Sequence, residues 1–396
     1  MRMSSDRRTN GRRIPAIVGV LVLVLALAVG VSAATAKTKP KPKPKYPVKI
    51  FRIAQIGSNS GQNAALGTWD WQGIDLAARQ IDAAGGIFGV RIHIDRYDDQ
   101  GDPTTAANLA QEAVSKHYDL VFGSCLSTNT LAMLPALTAA GIPEITSGQS
   151  NAIIQQGSKF IFLDSPPSSV YDATLAKYVV NKLKLKNIAM LTNNGAYGKS
   201  EHDNFLAQLK LLGITPVADQ VVTPDASDMT GALSKIRSEN PDVLFIGAEE
   251  VQSGLTVKQA RSLGIKAVIA EGAPASTPLY VSTAGIGNVG GTIVSSPYLS
   301  NQLNKQTKTF AAAYFQLWNS VPELHGAKAY DGLMVLATAL KNLKGNWKNG
   351  ATLAAAMHKV TYQGLLGTTK YDAAGLGLHE TQIAIIKNGT LTTPKP

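Results

Sequence analysis

Three acidic side chains and two hydroxyl-rich turns are the residues of this chain whose types and spacing could do chemistry. Glu249 and Glu250 follow the apolar run VLFIGA, and Glu271 follows AVIA. Carboxylates at the mouths of such runs could neutralise a ligand ammonium, act as a general acid and base, or stand as solvated loop acids. Gly123-Ser124-Cys125-Leu126-Ser127-Thr128 follows another apolar run and precedes a helical pattern. Its N–H groups and hydroxyls would meet at a helix start, which suits a carboxylate or another anion. Thr146-Ser147-Gly148-Gln149-Ser150 repeats the arrangement one unit later. Helix capping explains either turn alone, and the pair together suggests one shared ligand. Tyr197 in GAYGKS offers a ring face or a phenol. Trp69 in GTWDWQG is a candidate pocket wall, and Trp71 reads as core.

The spacings that enzymes require are missing. The turn from Gly57 to Gly67, GSNSGQNAALG, does not space its glycines as a dinucleotide fingerprint does, and neither a phosphate-binding loop G-x-x-x-x-G-K-[ST] nor a G-x-S-x-G elbow occurs. His93, His117, His202, His325, His358 and His379 are scattered without metal-ligand spacing and read as surface or half-buried histidines. Cys125 is the sole cysteine, so no internal disulfide can form. The acidic stretch Asp98 to Pro103 lacks the closing Glu of a calcium loop and reads as an Asx-rich turn capping a helix from Thr104. No cofactor or metal is expected, and binding leads over turnover. An exported amidohydrolase using Glu249 and Glu271 as its acid/base pair would lack a nucleophile with an obvious base.

The 396 residues are 44% apolar and 16% charged, a globular composition long enough for two lobes. The formal charge of +11 is local. Residues 1–36 hold +4, the five lysines from Lys37 to Lys45 add +5, and only +2 is left for residues 46–396. A basic groove for nucleic acid therefore has little support. Five arginines precede an apolar run from Ala16 to Val31, and Ala34-Thr35-Ala36 matches a signal-peptidase site. Residues 1–36 thus read as an export signal, with an uncleaved anchor as the alternative. Arg12-Arg13 only weakly suggests twin-arginine export, and no acylated-Cys anchor follows the run. Lys37 to Pro47, KTKPKPKPKYP, is an extended, solvated linker.

What must position the candidate residues is an alternation of strands and helices. Extended runs are expected at Lys49–Ile56, Val90–Tyr97, Leu120–Phe122, Pro143–Thr146, Asn187–Thr192, Pro216–Val222 and Val243–Ile246, and near Val268 and Ile293. Between them, helical periodicity is expected from Gly67, Thr104, Leu131, Val170, Lys199, Met229 and Gly254. Such alternation means crossovers and a parallel sheet, hence an α/β fold. Ligands in these sheets sit at the carboxyl ends of strands, where the acids and hydroxyl turns lie.

From Lys49 onward these pieces resemble, in order, the type I periplasmic binding proteins of the branched-chain amino acid class, the leucine/isoleucine/valine-binding-protein-like subunits of ABC importers. The features are Ser60-Gly61, LAARQIDAAGGIFG, YDDQGDP, the Gly123–Thr128 loop, GIP at Gly141, AYGKS at Ala196, PDVLFIG at Pro241, QARSLG at Gln259, AYDGL at Ala329 and KYDAAG at Lys370. The resemblance implies two Rossmann-like lobes with parallel sheets joined by a three-strand hinge. Residues 48–166 and 298–370 would form the first lobe, and 167–297 and 371–396 the second. It implies a monomer that closes on a small amino-acid-like solute outside the cytoplasm, in the periplasm or at the cell surface, and delivers it to a membrane permease. A sensory ectodomain would use the same pocket.

By that resemblance the ligand carboxylate meets Ser127, Thr128 and the stretch Gly148, Gln149 and Ser150. Glu271 takes the ammonium and Tyr197 supplies an aromatic contact. Glu249 falls where relatives carry an aromatic wall, and Leu66 where a ring covers the ligand side chain. The turn TSGQSN departs from the family pattern, and Glu249 adds a second acid. Branched-chain and polar amino acids, amides, urea and polyamine-like cations all fit this lining.

Overall fold

The computed structural model describes residues 46–302 and 304–394. The export signal and most of the linker lie outside the described residues. Among those described, no helix is long and apolar enough to cross a membrane.

The first half runs β1 (Lys49–Gly57), α1 (Ala64–Ala83), β2 (Val90–Asp98), α2 (Pro103–Ser115), β3 (Leu120–Phe122), α3 (Ser127–Ala140), β4 (Glu144–Thr146), α4 (Asn151–Gln155) and β5 (Ile161–Leu163). These strands form a five-stranded sheet in the order β2-β1-β3-β4-β5, parallel throughout. The chain continues through α5 (Ser168–Lys177), β6 (Ile188–Asn193), α6 (Ala196–Leu211), β7 (Ala218–Val222), α7 (Thr230–Ser238), β8 (Val243–Gly247), α8 (Glu250–Ser262), β9 (Val268–Glu271), α9 (Pro278–Ala284) and β10 (Ile293–Ser296). It returns to the first sheet with α10 (Lys305–Trp318), α11 (Leu324–Asn342), α12 (Gly350–Met357) and a hairpin of β11 (Thr361–Gln363) and β12 (Thr368–Lys370). Finally β13 (Gln382–Lys387) and β14 (Thr390–Thr392) join the second sheet, whose order is β14-β13-β10-β9-β8-β6-β7.

The second sheet is mixed rather than wholly parallel. β13 pairs antiparallel with β10, and β14 antiparallel with β13. The chain reaches β13 from the other half without a helical crossover, so nothing forces a parallel entry. Asn388 and Gly389 both have positive φ, and this two-residue loop is the turn that a tight hairpin favours. The stretch after β12 stays with the first sheet. The Tyr371 hydroxyl donates to the Leu163 carbonyl (3.2 Å), and Leu163 N–H donates to Gly375 O (3.0 Å). The last passage between the halves therefore comes later than position 370.

Each sheet carries helices on both faces. Phe51, Ile53, Phe122 and Phe162 pack with Ile74, Leu333 and Leu336 on one face of the first sheet, while Ala54 and Val121 meet Ala110, Met133 and Leu137 on the other. In the second sheet Leu191, Leu244 and Ile269 meet Leu233, Val257 and Tyr280, and Met190 and Phe245 meet Leu175 and Phe205. Burying each such side chain contributes on the order of 1.5–3 kcal/mol. One contact matters for the site. A Cβ at Gly73 of α1 would overlap the Gly326 carbonyl of α11, so glycine alone lets these two helices touch and brings the start of α11 against Asp70.

The acidic turn behaves as expected. Asp102 caps α2, its Oδ1 accepting from Thr105 N–H (2.6 Å) and Oγ1 (2.8 Å).

Candidate functional site

The loops at the carboxyl ends of both sheets face each other across a cleft, and the first wall is built from hydroxyls. Ser127 is the first residue of α3, one turn earlier than periodicity places the helix start. Its Oγ accepts from the backbone N–H groups of Gln149 and Ser150 (3.1 Å each). A hydroxyl that accepts twice still has its own proton to donate. Gly148 N–H donates to Thr146 Oγ1 (3.0 Å), and Ser150 caps α4 through Ala152 N–H (3.3 Å). The N–H groups expected to close round a ligand are thus turned onto Ser127 and Thr146, and the Ser127 hydroxyl stands in front of them. The Ser147 hydroxyl donates to Asp164 Oδ2 (2.8 Å), and Asp70 Oδ1 lies 3.2 Å from the same oxygen.

The second wall is acidic. Tyr197 lies in the first turn of α6, and Glu249 and Glu250 form the cap and first residue of α8. Glu249 Oε2 accepts from Asn193 Nδ2 (2.6 Å). Burial raises the Glu249 carboxyl above the usual range, with Asn193 opposing the rise. Glu271 ends β9, fully buried, and among the described residues its two oxygens accept no hydrogen bond. The Ser253 hydroxyl beside it donates to the Ala248 carbonyl instead (2.9 Å). Burial, reinforced by the charges of Glu250 and Glu201, pushes Glu271 well above the ordinary carboxyl range. Behind Tyr197, burial pushes Glu201 up to about 8. An acid so stripped of partners favours a cation arriving beside it.

The start of α11 supplies the rest. Glu323 caps this helix through the N–H groups of His325 (2.7 Å) and Gly326 (2.6 Å). His325, expected at the surface or half-buried, is instead buried, because the close approach of α1 and α11 covers it. Its Nε2 meets Glu250 Oε1 at 2.9 Å, across the cleft, and its ring stacks on Trp69 with centroids 6.0 Å apart. Burial and Lys328 push the imidazole down, but Glu250 and Glu323 outweigh them and hold it above its ordinary value. Burial pushes Glu250 up, and the His325 hydrogen bond and charge more than reverse this, holding it below the usual range. Lys328, one turn further on, is wholly buried and donates to the Ser147 carbonyl (2.9 Å). Burial raises Asp70 to about 7 and Asp164 to about 6, with Lys328 and His325 opposing the rise in both.

Between the walls lies a narrow cavity. About 30 Å³ of it admits the centre of a water-sized atom, and the space between its lining atoms, solvent at the mouth included, is about 340 Å³. Leu66, Cys125 and Leu126 give it an apolar end, and Ser127, Ser147, Gln149, Tyr197, Glu249, Glu250, His325 and Lys328 supply its polar lining. Measured as room for the centre of a water-sized atom, an open groove between Ile286, Val321 and Leu391 is larger, about 620 Å³, and among the described residues its one charged lining residue is Glu323.

Of the residues expected from the sequence, Leu66, Ser127, Gln149, Tyr197 and Glu249 line this cavity. Gly148, Ser150 and Glu271 stand outside its lining, Gly148 bonded to Thr146 Oγ1 and Ser150 to Ser127 Oγ. Trp69 braces His325. Thr128 is exposed and accepts from Ala196 N–H (3.2 Å) at the mouth of the cleft. His325 and Lys328, which line the cavity, and Asp70, 3.9 Å from His325, are residues that sequence reasoning misses. The available signal is His325 and Lys328 three residues apart in HGAKAYDGL, which puts them on one face of a helix.

Two sheets, a cleft at their strand ends and three passages of the chain between them form the frame onto which a known family maps. The family model described as periplasmic binding protein matches residues 51–390. The chain belongs to the periplasmic binding protein family. As a periplasmic binding protein it is similar to an amino acid binding protein of Pseudomonas aeruginosa, 28% identical over 329 residues, which are 82% of this chain and 86% of that one. It is also similar to the Leu/Ile/Val-binding protein BraC3 of Rhizobium johnstonii, 26% identical over 321 residues, 78% of this chain and 86% of the relative. Among solved structures it resembles the branched-chain amino acid transporter substrate binding protein LivJ of Streptococcus pneumoniae, in complex with isoleucine. That match has a TM-score of 0.80 at 26% identity and covers 87% of this chain and 98% of LivJ.

Proposed function

We propose that this periplasmic binding protein is the extracytoplasmic capture subunit of an ABC importer, and that its solute is a small amino-acid-like zwitterion. One observation carries the reading: a cavity enclosed between a hydroxyl wall at a helix start and a wall backed by a buried carboxyl without a hydrogen-bond partner. The solute's carboxylate accepts a hydrogen bond from the Ser127 hydroxyl at the amino terminus of α3, and its ammonium approaches Glu271. The amino-acid-binding relatives support the same solute class.

Capture works by a shift of population between open and closed forms. Bonds that join the walls exist only while the cleft is shut: His325 with Glu250 (2.9 Å), Asn151 N–H with Ser200 Oγ (3.0 Å), and Asn204 Nδ2 with Asn151 Oδ1 (2.9 Å). A solute touching both walls adds its own contacts to these and biases the hinge toward closure. The passages after β5, after β10 and before β13 serve as that hinge. The protein is exported through its N-terminal signal, works as a monomer, and the closed form docks on a membrane permease.

Native mass spectrometry of protein purified without denaturant, followed by a thermal-shift screen of amino acids and amides, tests the reading. A retained small solute and a raised melting temperature with at least one zwitterion are expected, since a ligand that binds only the folded state stabilises it by mass action. No mass adduct and no shift with any of them would reject it.

A further inference from the structure

Lys328 is a cavity residue whose hydrogen-bonding capacity is largely unused. It is fully buried, yet its ammonium makes one hydrogen bond, to the Ser147 carbonyl, and among the described residues no other hydrogen bond and no ion pair. An ammonium has three N–H donors, and leaving two of them unmet away from water is costly. Its charge is balanced at longer range by Asp70, Asp164, Glu250 and Glu323, each of which feels it. The lysine therefore lacks acceptors rather than countercharge.

The opposite wall offers the complement. Glu249 uses one carboxyl oxygen on Asn193 Nδ2 and has the other for a second donor. His325 Nε2 and Glu250 Oε1 are engaged with each other, and His325 Nδ1 faces Asp70 Oδ1 at 3.9 Å rather than the opposite wall. A neutral group that accepts on one side and donates on the other fits this pair, and a carboxamide does both. A side-chain carboxylate would add negative charge beside Glu249 and the four acids round Lys328. An aliphatic side chain would leave the lysine N–H groups dry. We propose that the solute carries a carboxamide beyond its amino-acid head group, its carbonyl oxygen taken by Lys328 Nζ and its NH2 by Glu249. Asparagine- or glutamine-like solutes are then preferred over aliphatic and acidic ones. This rests on the amino-acid capture reading and narrows it.

Calorimetric titration of the full chain with L-asparagine, L-glutamine, L-glutamate and L-leucine tests it, with wild type, Lys328→Met and Glu249→Gln compared and folding checked by thermal melting. One of the two amides is expected to bind at least tenfold tighter than leucine and glutamate. Lys328→Met should weaken that amide by about tenfold or more while leaving leucine within about threefold, a split that a merely structural lysine would not produce. Glu249→Gln should narrow the gap between glutamine and glutamate. Leucine binding as tightly as both amides in the wild type, or Lys328→Met lowering amide and leucine by the same factor, would overturn the amide assignment and leave amino-acid capture standing. Should none of the four bind, the capture reading falls together with it. If Lys328→Met does not fold, the wild-type ranking and Glu249→Gln decide.

Discussion

The two walls of the cavity are built on opposite principles. On the first, the hydroxyls are already engaged: Ser127 Oγ accepts two N–H groups, and the Thr130 and Thr146 hydroxyls bond each other (2.7 Å) and the Ser124 carbonyl (3.2 and 3.0 Å). On the second, Glu271 is buried with no hydrogen bond, and Glu201 and Asp172 lie buried close by. The first wall is finished by the protein and waits rigidly for an anion. The second is left incomplete and is finished by the solute. A binding protein divided in this way has one surface that orients the ligand on arrival and another whose unmet hydrogen-bonding capacity favours closure on the ligand.

Single substitutions should separate the walls by sign as well as size. The largest effect is expected for Glu271→Gln, which should weaken solute binding by about 2–3 kcal/mol, the range of a hydrogen bond to a charged group. The same change should leave the melting temperature of the free protein level or higher, because it removes a buried ionisable group that nothing satisfies. Calorimetry and thermal melting check both halves. Affinity unchanged within twofold would break the contrast at its strongest point.

Ser127→Ala comes next. It should weaken binding by about 1–2 kcal/mol and also lower the melting temperature of the free protein, since the Gln149 and Ser150 N–H groups lose their acceptor. A free protein that melts unchanged would mean that this wall is not preorganised by its serine.

The smallest effect is a drift with pH. Glu201 titrates near 8, Asp70 and Asp331 near 7 and Asp164 near 6, each raised chiefly by burial. Their unfolded counterparts lose protons near pH 4, so between about pH 4.5 and 8 the folded chain holds more protons and its stability falls as pH rises. His325, also raised, acts in the same direction: its contribution is complete below about pH 6.5 and is lost above its folded value. Glu250, held low, contributes only above the ordinary carboxyl range. Thermal melts from pH 5 to 8 should therefore drop by a few degrees for the free protein, and a rise would contradict the burial of these acids as carboxyls.

Much of the frame is legible in the sequence, because alternating apolar strands and amphipathic helices are what a parallel α/β sheet requires. The helix starts are not. Periodicity begins at Gly67, Leu131, Lys199 and Gly254, whereas α1, α3, α6 and α8 begin at Ala64, Ser127, Ala196 and Glu250. In each case the missing turn faces the cleft, so a lone apolar residue such as Leu66 there extends no core-facing stripe to betray it. The site is built largely from those turns. The contribution of α11 is hidden for the opposite reason. Fourteen of its nineteen residues are buried, including His325, Lys328 and Asp331, and a helix covered on most sides shows no single apolar face. Glu271 was recognisable from its place after an apolar strand, but only the structure reveals that its carboxyl lacks a partner.

A crystal structure grown with the solute that most raises the melting temperature tests the central claim most directly. The account predicts one solute molecule enclosed between the sheets, its carboxylate within hydrogen-bond distance of Ser127 Oγ and its ammonium against Glu271. Solute found elsewhere on the surface, or held with its ammonium toward Ser127 and its carboxylate toward Glu271, would contradict it.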